Sequence, residues 1–202
     1  MKMNQDDLWN TELAKEHYDV KEMGHFEKEI VLRYAKGKCL EIGSAVGNLT
    51  NFLKKKGIDI QGIEISEKMV KRAKKKYPGI SFRQEDASNL KYPDESFDFI
   101  FFNVLDFIHP IEKRRNAISE ISRVLKPGGV FLCNLLIPNW YKFLYINGYR
   151  KLQGDFAEFK VYRSRISSKI KEFKIYGFKS KGIIYRFRHD TNPFFIFVKE
   201  SQ

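Results

Sequence analysis

Two glycines and an alanine interrupt an apolar run in the first quarter of the chain, Cys39-Leu40-Glu41-Ile42-Gly43-Ser44-Ala45-Val46-Gly47-Asn48-Leu49-Thr50. The residues before them, Lys38 to Ile42, read as a buried strand, and Asn48 to Lys56, closed by Gly57, reads as a helix. Gly43 and Gly47 carry no Cβ, so the backbone there can turn tightly and approach a ligand. The next helix aims free N–H groups and the positive end of its dipole back at the strand tip. Strand, turn and helix together make a cradle for part of a nucleotide-like molecule. A dinucleotide fingerprint, Gly-x-Gly-x-x-Gly, fits worse, because it wants glycine where Ala45 and Asn48 stand.

A single glycine turn is a weak signal, so later strand ends must supply the other contacts. In an open parallel sheet, ligands sit at the carboxyl ends of the strands. The second strand, Ile58 to Ile65, places Glu64 near its end, 21 residues after Gly43. A carboxylate at that spacing can accept two hydrogen bonds from a ribose diol. The third strand, Ile80 to Gln84, runs into Glu85-Asp86-Ala87, and the fourth, Phe97 to Phe102, into Asn103-Val104-Leu105.

Glu41-x-Gly43-x-Ala45-x-Gly47 resembles motif I of the class I S-adenosylmethionine-dependent methyltransferases, acidic-x-Gly-x-Gly-x-Gly, in a domain of the methyltransferase type 11 kind. Alanine replaces the middle glycine, which is acceptable if that residue does not need positive φ. The turn Arg123-Val124-Leu125-Lys126-Pro127-Gly128-Gly129 is a second family trademark, and the likeness is good over residues 30–136. The resemblance implies S-adenosylmethionine as cofactor and S-adenosylhomocysteine as product. It implies that Glu41 helps hold the cofactor's amino group and that Asp86 and the Ala87 N–H read the adenine edge. Gly43, Ser44, Ala45, Gly47, Asn48 and Leu49 would supply the loop, with Ile65 and Met69 beside Glu64. Asn103, Val104 and Leu105 would flank the position of methyl transfer.

Displacement at a sulfonium has a good leaving group, so positioning is the main task, and a base is needed only for poorly ionised nucleophiles. Asp106 and His109, in Leu105-Asp106-Phe107-Ile108-His109-Pro110, are the candidates for that base, with Tyr18 from an N-terminal arm. Asn192-Pro193-Phe194-Phe195 mimics a motif of methyltransferases acting on planar amino groups. That motif belongs directly after the fourth strand, so methylation of adenine N6 or glutamine is disfavoured.

These residues need a doubly wound, Rossmann-like α/β fold: seven mostly parallel strands, an antiparallel last strand and helices on both faces. The 202 residues suit a single domain. Within it we expect a helical arm over 1–36, a cofactor-binding core over 37–136, an aromatic-rich insertion or substrate lid over 137–162, and a helix with a strand pair over 163–202. Helices are expected at Lys21 to Ala35, Glu67 to Tyr77 capped by Ser66, Ile111 to Leu125 and Ile166 to Tyr176. Strands Val130 to Leu136, Gly182 to Phe187 and Phe194 to Val198 complete the sheet.

No run approaches the ~20 apolar residues of a membrane span, and Met1 to Asn10 is polar, without a signal-peptide core. Cys39 and Cys133, each in an expected strand, read as buried thiols of a cytoplasmic protein. The four histidines are scattered, so no metal site is expected. The net charge is +12, of which residues 142–190 carry +9. A small-molecule acceptor is the first expectation, with Trp140 and Tyr145 in the lid. RNA held by the basic C-terminal third, or cofactor binding without transfer, are the alternatives.

Overall fold

The structure, a computed structural model, describes residues 24–103, 105–137, 148–151, 160–185 and 192–201, with backbone alone for 148–151 and 160–163. Helix α1 (His25–Tyr34) leads into β1 (Lys38–Ile42), then α2 (Asn48–Lys55), β2 (Asp59–Glu64), α3 (Glu67–Lys76), β3 (Phe82–Gln84) and β4 (Phe97–Phe102). A 3₁₀ turn (Leu105–Phe107), α4 (Ile111–Val124) and β5 (Leu125–Asn134) come next. The chain continues through β6 (Gly148–Lys151), β7 (Lys160–Arg163), α5 (Ile166–Ile175), β8 (Phe178–Ile184) and β9 (Phe194–Lys199).

Seven strands form one sheet in the order β3-β2-β1-β4-β5-β9-β8. The pairs from β3 to β5 are parallel, and β9 runs antiparallel between β5 and β8. The expected architecture is therefore the observed one, the antiparallel strand lying one place in from the edge. Alternate residues feed the two faces, as strand geometry requires. Cys39, Phe99, Phe101 and Leu132 pack with Ile30 and Val31 of α1 and Leu49 and Leu53 of α2. Leu40, Ile100, Phe102 and Phe131 pack with Ala117, Ile118 and Ile121 of α4 and Phe173 of α5. Phe173 stacks on Phe197 of β9 with ring centroids 4.3 Å apart, which fixes α5 on the sheet. Each fully buried phenylalanine contributes about 1.5–3 kcal/mol, so this aromatic floor is a main source of stability for the C-terminal half.

Three boundaries differ from expectation for a physical reason. The Lys126-Pro127-Gly128-Gly129 turn lies inside β5: pairing steps from Phe97↔Leu125 to Phe99↔Val130, and the intervening residues bulge outward with Gly128 at φ 77°. Strand β8 starts at Phe178, directly after α5, because Phe178 is drawn into the Phe131–Phe173–Phe197 cluster. The region expected to be an irregular aromatic lid contains a two-stranded antiparallel ribbon, β6–β7. Trp140 and Tyr145 lie outside the described residues, as do the N-terminal arm with Tyr18, and Val104. Both cysteines are buried free thiols. Among the described residues, no helix is long and apolar enough to cross a membrane.

Candidate cofactor and acceptor site

The glycine turn is anchored across the sheet before it reaches the helix. Gly43 N and Ser44 N both donate to Ile63 O of β2, at 2.8 and 3.0 Å. The chain then takes left-handed φ at Gly43 (73°), Ala45 (46°) and Gly47 (80°). Ala45 therefore does occupy the conformation that its methyl group disfavours, at a cost of roughly 1–2 kcal/mol. Its N–H donates to Glu64 Oε2 at 3.0 Å, and that bond holds the strained residue in place. At Gly47 a Cβ would lie 2.4 Å from Phe82 Cζ, so the close approach of turn to β3 requires glycine as well.

Gly47 is also the N-cap of α2, and no side chain caps that helix. Asn48, the residue best suited to do so, turns away and accepts from Tyr77 Oη at 2.8 Å and Lys76 Nζ at 2.9 Å. Glu41 takes the Thr50 N–H, and the N–H groups of Asn48 and Leu49 before it lie at the strand tip, a position that suits an incoming carboxylate or ribose oxygen. Ser44 Oγ, packed against Gly62, is buried with no hydrogen-bond partner among the described residues. A buried hydroxyl left in that state points to a ligand atom that completes it.

Two carboxyl groups sit beneath this turn. Glu64 is 9% exposed and accepts from Ala45 N and Ser66 N, one bond on each oxygen, both at 3.0 Å. A carboxylate offers about four acceptor sites, so capacity remains for a ligand hydroxyl. Burial pushes its pKa up, and the N–H groups of Ser66, Ala45 and Ile65 pull it back. Glu41 is more deeply placed: Thr50 Oγ1 of α2 bonds to it, and burial pushes its carboxyl up to about 8, with the Glu64 charge adding to the rise. Glu41 therefore holds its proton at neutral pH while pinning the first turn of α2 to β1.

Val46 of the turn packs against Met69 of α3, and Ser66 caps α3 by accepting from Met69 N at 3.3 Å. Ile65 O accepts from Gln84 Nε2, linking the ends of β2 and β3. Asp86 accepts from Ser88 N and Ser88 Oγ on one oxygen and pairs with Lys113 Nζ at 2.9 Å on the other. Burial raises its pKa, but those bonds outweigh it and hold the carboxyl below its ordinary value. Ala87, beside it, is buried. These residues converge at the carboxyl ends of β1, β2 and β3, where the expected ligand belongs.

The other side of the crevice corrects one expectation. Asp106 does not face a substrate: it is 1% exposed and fully engaged. Its Oδ1 accepts from Arg114 Nη2 at 3.1 Å and Nε at 3.3 Å. Its Oδ2 accepts from Leu136 N at 2.6 Å and Lys169 Nζ at 2.7 Å. Arg114 also pairs with Glu172. A carboxylate with two donors on each oxygen and no solvent access has no free site to offer a substrate proton. Sequence reasoning missed Arg114, Lys169 and Glu172, since helical spacing relates only Lys169 to Glu172 and nothing local relates either to Asp106. Asn103 is exposed, Leu105 is buried and His109 is half-buried between the 3₁₀ turn and α4.

Residues 40–133 match the family model of the methyltransferase domain. A demethylmenaquinone methyltransferase of Thermotoga maritima is 33% identical over 118 residues, which cover 57% of this chain and 51% of that protein. A ubiquinone/menaquinone biosynthesis C-methyltransferase of Rickettsia massiliae is 32% identical over 127 residues, covering 54% and 50%. The chain thus spans about half the length of the curated relatives it matches. The solved structure of a SAM-dependent methyltransferase from Methanosarcina mazei superposes with a TM-score of 0.72, at 23% identity, over 86% of this chain and 98% of that one. The start of α2, the Ser44 hydroxyl and the Glu64 carboxylate fit the amino-acid and ribose ends of S-adenosylmethionine, on which that Methanosarcina mazei protein depends. The glycine turn, the strand order and the domain match agree: over residues 40–133 the chain is similar to a methyltransferase domain, and its sheet has the fold of the Methanosarcina mazei protein.

Proposed function

We propose that this protein transfers a methyl group from S-adenosylmethionine to a small or medium-sized, largely apolar organic acceptor, of which an aromatic quinol is the leading example. The observation that carries the reading is the juxtaposition at the ends of β1 and β2: three left-handed residues, the N-terminus of α2 and the buried carboxylate of Glu64 held by backbone N–H groups. Support for the acceptor class comes from the segments just past β4 and β5. Phe107, Ile108, Leu136 and Ile137 are half-buried apolar residues there, and the one acidic side chain, Asp106, is cancelled by Arg114 and Lys169. A pocket wall of that kind suits an uncharged ring better than a phosphate or an ammonium group. The names of the two curated relatives, both quinone-pathway methyltransferases, agree with it.

In this reading Glu64 orients the ribose and the α2 N-terminus the amino-acid end. S-adenosylmethionine when bound supplies an electrophilic methyl carbon on a sulfonium. The protein's own work is to hold the acceptor in line with that carbon and to exclude water, worth ~7–11 kcal/mol when the geometry is right. His109 is assigned the proton of an acceptor hydroxyl, and Tyr18, outside the described residues, is the second candidate. The test is methyl transfer from labelled cofactor to a short-chain demethylmenaquinol analogue, with a transfer RNA pool alongside. Label in the quinol confirms the class. Label only in RNA, or no binding of S-adenosylhomocysteine, overturns it.

A further inference from the structure

The chain between β5 and α5, residues 135–165, is the largest insertion in the sheet topology, and it contains the β6–β7 ribbon. Both of its roots end on one oxygen atom. Where the chain leaves β5, Leu136 N donates to Asp106 Oδ2 at 2.6 Å; where it re-enters the core on α5, Lys169 Nζ donates to the same Oδ2 at 2.7 Å. The other oxygen is held by the guanidinium of Arg114 on α4, which carries on to Glu172, one turn after Lys169. Asp106 itself belongs to the 3₁₀ turn just past β4, where Leu105 is fully buried and Asn103 is exposed, and β7 runs alongside that turn.

We infer that Asp106 is a positioning residue, a clamp that registers both roots of the β5–α5 insertion to the post-β4 turn. This rests on the methyltransferase reading above and deepens it: β7 and the two roots lie beside the turn that follows β4, on the acceptor side of the crevice, and the clamp fixes those roots there. The charges favour a dedicated clamp over incidental packing. Arg114, Lys169 and Asp106 are all fully buried, and burial lowers the pKa of Lys169 while the Asp106 carboxylate opposes that shift. Such a cluster adds less stability than well-packed apolar side chains of similar volume, and its distinctive product is a fixed geometry. None of these bonds touches the Gly43–Leu49 turn or Glu64, so the clamp acts on the acceptor half alone.

The test uses the full chain. In Asp106→Asn, amide exchange at Leu136 and across residues 160–170 is expected to accelerate at least ~10-fold, while residues 43–49 and 59–64 stay within about twofold of wild type. S-adenosylhomocysteine affinity by calorimetry is expected to hold within about threefold, because the cluster and the Gly43–Leu49 turn share no hydrogen-bond partner. With the quinol acceptor, KM for the acceptor rises and KM for the cofactor does not, a split that general loss of stability would not produce. Lys169→Met cuts only the exit root: exchange rises over 164–170 and not at Leu136, which keeps the inference testable if the first variant does not fold. Equal acceleration in both halves, or unchanged exchange at the roots, overturns the clamp. Wild-type protein that fails to bind S-adenosylhomocysteine removes the methyltransferase reading instead, and the exchange pattern still decides the clamp.

Discussion

The cofactor side and the acceptor side of this crevice are built from different materials. Around Gly43 to Ser66 most donors are backbone N–H groups: two on Ile63 O and one on each oxygen of Glu64, with the Thr50 and Asn48 side chains tying α2 to its neighbours. Around Asp106 the donors are the long side chains of Arg114 and Lys169, from α4 and α5, joined by Leu136 N, meeting at a carboxylate that solvent does not reach. Backbone contacts depend on φ, ψ and small residues, so they tolerate sequence change elsewhere and serve a cofactor common to many enzymes. Side-chain clusters depend on a few particular residues, so they can be rewritten when the acceptor changes. The same fold can thus keep its methyl donor and alter its substrate.

The largest effect that sharpens this contrast is expected from Arg114→Met. It leaves Glu172 and one oxygen of Asp106 without their guanidinium, a loss of about 3–5 kcal/mol for a broken buried pair. Denaturant titration measures it, and S-adenosylhomocysteine affinity should be nearly unmoved in the folded fraction. A large drop in affinity would mean the two sides are not independent.

Glu41 tests the cofactor side through pH. Its folded-state pKa, pushed up to about 8 by burial, exceeds its ordinary value of 4.5. The unfolded chain releases that proton first, so its contribution is complete below about pH 4.5 and is lost as pH rises to about 8. Glu41→Gln should flatten the fall of stability across that window, with a residual slope from Glu64, which shifts the same way. A variant as pH-sensitive as wild type would contradict the neutral Glu41.

Glu64→Ala comes next. It removes the acceptor of Ala45 N and Ser66 N and the capacity left for a ligand hydroxyl, and should weaken S-adenosylhomocysteine by ~1.5–3 kcal/mol. Calorimetry reads this directly, and unchanged affinity would detach Glu64 from the ligand. Ala45→Gly is the smallest expected effect, a gain in stability of about 1 kcal/mol, because the left-handed φ of 46° no longer strains a methyl group. The gain is partly offset by the extra freedom of glycine in the unfolded chain. A clear loss would show that the methyl makes a packing contact worth more than the strain.

Much of this was legible in the chain itself, and the reasons are local. Apolar runs of five or six residues alternating with helical periods specify a parallel sheet, and Phe97 to Phe102 was placed to the residue because a strand covered on both faces is apolar throughout. Ser66 was readable as a cap because capping needs only its own hydroxyl and an N–H three residues on. Glu64 was readable because the distance from a glycine turn to the end of the next strand is set by the length of one helix. The bulged start of β5 and the early start of β8 were not readable, since pairing with Phe97 and packing on Phe131 decide them.

What the sequence by itself determined, then, is the succession of strands and helices through β5 and the shape of the Gly43–Ser66 turn region, where the Glu64 and Ile63 contacts join the ends of neighbouring strands. Only the tertiary structure decided the fate of Asp106, which beside His109 had the chemistry of a general base and became the centre of an ion cluster. Its partners stand 8, 30 and 63 residues away, on α4, past β5 and on α5. Only the packing of those elements on the sheet decides which charges meet when buried. The strain at Ala45 has the same origin: the pull of a carboxylate 19 residues downstream sets a φ that the alanine alone would avoid.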